Sequence, residues 1–183
     1  MSEQQQEQVY QLRESEPAFH IADVGKVYQM PEAAILHFIN QCTLQVSKAG
    51  ADPLFSLTDA VLAGLFFRLH RGLGFSVNKA KLVCDELRRS RLPDGNYLLH
   101  YYYSKVMETE RLGQPVITSL CMAFDESGGM IQPGSAELGD LLREGSVVLV
   151  NSNSLIIPML NRASEMLGVP HDTDVVLIMD GGE

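Results

Sequence analysis

The chain has 183 residues and a formal net charge of −9, with 45% hydrophobic and 20% charged residues. That composition fits a globular protein able to bury a core without metals or disulfides. No apolar run approaches the roughly 18 residues that span a bilayer, and Cys42, Cys84 and Cys121, lacking CxxC spacing, argue against a disulfide framework or a cysteine zinc site.

Residues 1–18 are polar and rich in Gln and Glu, without the basic and apolar regions of a secretory signal. They are expected to form a solvated tail, and the protein is expected in a reducing cytoplasm. Charge is unevenly spread. Residues 19–91 carry nine Lys/Arg against six Asp/Glu, a balance of +3, and the rest carry five against seventeen, a balance of −12. A basic segment on an acidic protein permits nucleic-acid binding without requiring it.

Apolar Ile21, Val24, Val27 and Tyr28 recur at helical spacing. Gln29-Met30 breaks the run, and Pro31 suits the first position of a second helix, where its missing N–H would be unpaired anyway. That helix, 31–41, sets Ala34, Ile35, Phe38 and Ile39 on one side. Two short helices about a tight break are the helix-turn-helix pattern. Residues 43–47 alternate as a short strand, 48–53 read as a loop tip and Leu54-Phe55 as a returning strand, a wing in outline. Ser56-Leu57-Thr58-Asp59 reads as a capping box. A third helix follows, then Gly72-Leu73-Gly74-Phe75, and a fourth helix from about 77 to 91. Pro93-Asp94-Gly95-Asn96 is a strong turn and the expected domain boundary.

Beyond it the pattern is α+β. Strands are expected over 97–106 and 115–124, a hairpin loop at 125–129 leading to Met130-Ile131, a short helix over 136–143 and a strand over 146–150. A helical stripe runs from Leu155 to Leu167, and a last strand covers 174–179.

The segments IADVGKVYQMPEAAILHFINQCTL and LFSLTDAVLAGLFFRLHRGLGFSVNKAKLVCDEL resemble the N-terminal DNA-binding domain of MerR-family transcriptional regulators. The most specific matches are Phe55-Ser56-x-x-Asp59 and Leu73-Gly74-Phe75-Ser76. The resemblance covers residues 19–91 and implies that the second helix enters a major groove while the wing meets the backbone. It departs from the family at two positions. Leu36 and Pro53 stand where arginines are common, and 31–41 contains no Lys or Arg. The family's long dimerisation helix is also missing, because Pro93-Asp94-Gly95 stops the fourth helix.

The expected architecture is therefore α+β: a polar tail (1–18), a MerR-like winged helix-turn-helix (19–92) and a small α+β dimerisation or effector domain (96–183). Candidate DNA contacts are Lys26, His37, Asn40, Gln41 and Lys48, since Lys meets phosphate and Asn or Gln can read adenine. The expected activity is a DNA-binding regulator acting as a homodimer on double-stranded DNA. The alternative is a protein-interaction adaptor whose partner meets Leu36 and His37. The histidines, at 20, 37, 70, 100 and 171, lack metal-ligand spacing, and no nucleophile–base pair, Walker loop or dinucleotide fingerprint occurs. No metal, cofactor or enzymatic activity is expected.

Overall fold

The break between the first two helices sets the N-terminal architecture. In this computed structural model, which describes residues 10–41, 47–49, 52–111, 121–125, 127–131, 147–168 and 175–178, helix α1 (Ile21–Tyr28) ends at Gln29 in the left-handed region, φ 54°. The Met30 N–H returns to the Gly25 carbonyl at 2.9 Å, and the Pro31 carbonyl accepts from Ala34 at 2.8 Å. Helix α2 (Glu32–Gln41) starts beside Pro31 as the sequence leads one to expect. No helix crosses the break.

Strand β1 (Tyr10–Arg13) comes before this unit, and strand β2 (Phe19–His20) leads into α1. Strands β3 (Ser47–Ala49) and β4 (Asp52–Phe55) follow α2. They make an antiparallel sheet in the order β2–β4–β3. The expected loop tip at 48–53 is corrected: Lys48 lies in the ladder opposite Pro53, and Ala49 opposite Asp52. Pro53 tolerates a central strand because β2 reaches only Leu54 and Phe55, so on that side no ladder bond is lost. Of the strand expected over 43–47, residues 43–46 lie outside the described residues.

Helix α3 (Leu57–Phe67) is apolar almost all round, and Leu57 and Asp59 to Phe66 are buried. Such a helix belongs at the centre of a core. It is capped as expected by Ser56, whose Oγ accepts from the Asp59 N–H at 3.1 Å. It runs on into one π-helical turn, Arg68–Gly72. Helix α4 (Val77–Arg89) is capped by Ser76 and buries Ala80, Val83, Cys84 and Leu87. Cys84 is thus a core residue.

Two expectations fail here. Residues 97–106 are not a strand: helix α5 spans Leu98–Arg111. Its buried residues Leu98, Leu99, Tyr102, Tyr103 and Val106 repeat at helical spacing, which overrides the β preference of the aromatics. Nor is 1–18 wholly a solvated tail. Strand β1 carries Leu12 buried between exposed Gln11 and Arg13, the period of a half-buried strand. It pairs in parallel with β8 (Val175–Ile178), Tyr10 opposite Val175. Residues 1–9 lie outside the described ones.

Strands β5 (Cys121–Asp125), β6 (Met130–Ile131) and β7 (Val147–Asn151) form an antiparallel sheet in the order β6–β5–β7. Helix α6 (Asn153–Leu167) follows β7. The expected hairpin, the strand near 146–150 and the helical stripe are all present. Residues 115–120 and the helix expected over 136–143 lie outside the described residues. The class is α+β. Among the described residues, one apolar cluster runs from Leu12 and Phe19 through α3 to Tyr102, Phe124 and Ile156.

Gly64 is where α1 meets α3: a Cβ there would lie 2.5 Å from Tyr28 Cζ. Gly→Ala within a helix ordinarily gains about 1 kcal/mol. Here overpacking reverses the sign, and Gly64→Ala is expected to cost about 1–3 kcal/mol, read as a lower urea midpoint at unchanged m-value. A raised midpoint would show that the ring does not rest on Gly64.

Burial raises the hydroxyl pKa of Tyr28, Tyr102 and Tyr103. A raised folded-state pKa stabilises the fold below the ordinary tyrosine value of about 10 and is lost as the pH rises above it. Stability should therefore fall steeply above about pH 10. Tyr103→Phe should flatten that loss in denaturation curves taken from neutral to alkaline pH; an unchanged slope would remove Tyr103 from the account.

Candidate nucleic-acid interface

Helix α2 is oriented by what it buries. Ile35 and Phe38 are fully buried, and the Phe38 ring packs on Phe66 of α3 at 4.6 Å between centroids. With that side fixed, Glu32, Ala33, Leu36, His37 and Asn40 are exposed together, as spacings of three and four residues require. Leu36 is 45% exposed. Among the described residues no hydrogen bond or ion pair engages the side chains of His37 or Asn40.

The sequence-predicted contacts are thus only partly assembled. His37 and Asn40 share one face with Leu36. Lys26 is exposed in the last turn of α1, on another helix, in line with exposed Ala22. Gln41 ends α2, and Lys48 sits in β3 directly opposite Pro53. The side chains of these last two lie outside what is described.

Sequence reasoning missed the π-helical turn that continues α3. The Leu73 N–H donates to the Arg68 carbonyl at 3.0 Å, the wide spacing of a π-bulge. The turn exposes Arg68 and Arg71. His70 donates from Nδ1 to the Phe75 carbonyl at 2.7 Å, and its ring lies 5.9 Å from Phe66. Phe66 therefore touches both Phe38 of α2 and His70, and couples the π-turn to α2. The Gly72-Leu73-Gly74 motif marked a helix–helix turn, but nothing in it signals the extra residue.

Other cations are engaged within the fold. Arg88 pairs with the buried carboxylate of Asp59. Arg91 donates to the Gly95 carbonyl at 2.9 Å and lies over the Tyr97 ring at 3.9 Å. The basic cluster Arg88-Arg89-x-Arg91 is thus largely structural.

Helix α1 and the π-turn are tied to the C-terminal half by polar contacts. Asp23, buried in α1, accepts from the His20 N–H at 2.9 Å. It also accepts from Arg162 Nε and Nη2 of α6 at 2.9 and 2.6 Å. Glu165 takes Arg162 Nη1 at 2.7 Å, and the two carboxylates raise the arginine pKa further. The Tyr28 hydroxyl donates to the Leu155 carbonyl at 2.7 Å, and Arg68 donates to the Ser154 hydroxyl. Residues of α1 and the π-turn are thereby held by one helix, α6, which emerges from strand β7.

The Tyr102 and Tyr103 side chains and those of Met122 and Phe124 are buried within the chain. Tyr97 and Tyr101 of the same run are half-buried. No helix among the described residues is long and apolar enough to cross a membrane.

Arg162→Met should leave Asp23 with only its capping bond. Amide exchange in α1 is then expected to quicken while α4, held separately through Asp59–Arg88, keeps its rate. Equal protection of α1 in parent and variant would show that the clamp does not hold α1.

Compared with protein-family models, curated proteins and solved structures, the chain matches none.

Proposed function

We propose that this chain is a DNA-binding transcriptional regulator in which α2 enters the major groove and hairpin β3–β4 meets the phosphate backbone. The observation that carries the reading is the outward face of α2. Buried Ile35 and Phe38 hold it rigidly, and it presents Asn40 and His37 with no partner among the described residues. The helix, the break at Gln29 and the following hairpin agree with the MerR-like order of elements. Lys26, Lys48 and Gln41 remain candidate contacts, and exposed Arg71 joins them as a phosphate ligand. Two copies on a palindromic site would present two such helices.

A second reading has its own support. Leu36 is 45% exposed in the middle of a face without Lys or Arg, which suits a protein partner better than a phosphate-lined groove. In that reading the chain is an adaptor that has lost DNA binding.

Mobility shifts of the full chain on duplex DNA, repeated across salt concentrations, discriminate the two. Affinity is expected to fall linearly on a log–log plot as counterions are released. Lys48→Ala and Arg71→Ala should each weaken binding to all sequences and reduce the slope by about 1. Leu36→Arg should raise affinity. Absence of binding at low salt, with a protein partner lost in Leu36→Arg, would replace the regulator by the adaptor.

A further inference from the structure

Resting on the regulator reading, we infer that α2 is a reader of A·T base pairs, with Asn40 recognising adenine and Leu36 the methyl group of a thymine about two base-pair steps away. Each base pair shows a distinct pattern in the major groove. Guanine is read by the paired donors of Arg or Lys, adenine by the amide of Asn or Gln, and the thymine C5 methyl by an apolar side chain. The exposed face of α2 holds Glu32, Ala33, Leu36, His37 and Asn40. It has no guanidinium or ammonium group, so guanine loses its commonest two-point donor.

What the face does hold is an amide and an apolar surface, one helical turn apart. Leu36 and Asn40 are four residues apart, about 6 Å along the helix axis, close to two base-pair steps of about 3.4 Å. Neither can turn away to another task. Leu36 is 45% exposed although large and apolar. Asn40 is exposed, and its amide has no hydrogen-bond partner among the described residues. Buried Ile35 and Phe38 fix the rotation of the helix, so both project on the same side. Ala33, one turn before Leu36, adds a second small apolar contact. Glu32 can accept from a cytosine amine, but it lies two turns from Asn40 and addresses a different pair.

The test is selection from a random duplex pool by the full-length protein, followed by binding to the enriched duplex and its base analogues. An A·T-rich core should be enriched. Replacing thymine by uracil removes only the methyl group and should weaken binding about threefold or more, the worth of one buried methyl. That loss should vanish in Leu36→Ala. Asn40→Ala should lose about 5- to 150-fold of its discrimination for adenine over guanine. A G·C-rich core, binding without sequence preference, or a uracil effect of equal size in Leu36→Ala would overturn the inference and leave the regulator reading intact. Failure to bind any duplex at low salt would overturn both.

Discussion

Burial of α3 on nearly every side is the constraint from which the rest of the molecule follows. A helix carrying Leu57, Val61, Leu62, Leu65 and Phe66 around its circumference has no face to give to water. Its surroundings must supply apolar walls, and they do: Val24 from α1, Ile35 and Phe38 from α2, Val83 and Leu87 from α4, and Ile156 and Met159 from α6 are all buried in one cluster. Gly64 admits the Tyr28 ring where any side chain would exclude it. The closeness of α1 to α3 therefore depends on the absence of a single Cβ.

Apolar packing fixes distances but tolerates sliding, and polar contacts remove that freedom. Asp59, the one carboxylate of α3, is buried and takes Ser56 Oγ at 2.8 Å together with Arg88. Glu14, following β1, meets His100 of α5, and Thr58 meets Tyr103 at 3.3 Å. Asp23 and Arg162 join α1 to α6. Such pairs contribute little net stability beyond apolar substitutes but penalise misalignment, because a half-satisfied buried charge is costly. They index each surrounding helix against its neighbours.

The sequence made the local elements legible where one signal dominated. Pro31 after Gln29-Met30, the capping sequence from Ser56 and the stripe from Leu155 onward each named a helix end or face, and the structure places them there. It misled where two signals competed. Tyr97 to Tyr103 looked like a strand by residue type, whereas Leu98, Tyr102 and Val106 are helical by position. Strand β1 was hidden because its partner β8 lies at the far end of the chain, and long-range parallel pairing leaves no local trace. The π-turn at Arg68–Gly72 was invisible for a related reason: one inserted residue barely shifts the apolar period. For the candidate site, the sequence identified His37, Asn40 and Leu36 as neighbours on a helix. Only the burial of Ile35 and Phe38 establishes that all three face outward.

In the regulator reading, these features divide affinity from specificity between different parts of the surface. Phosphate contacts supply most of the affinity of a DNA-binding protein, and base contacts supply the discrimination. The exposed face of α2 has no cation and carries Glu32, so it adds nothing to the first. Of the nine cations in residues 19–91, Lys26, Lys48, Arg68 and Arg71 lie on α1, the hairpin and the π-turn, while the residues outside this segment sum to −12. An acidic body repels a polyanion over about one Debye length, roughly 8–10 Å at physiological salt. Cations flanking α2 would offset that repulsion where α2 meets the groove. The residues that hold α1 in place, Tyr28, Asp23 and Arg162, would then influence affinity without touching DNA, because α1 and α6 fix where the flanking cation Lys26 stands relative to the reading face.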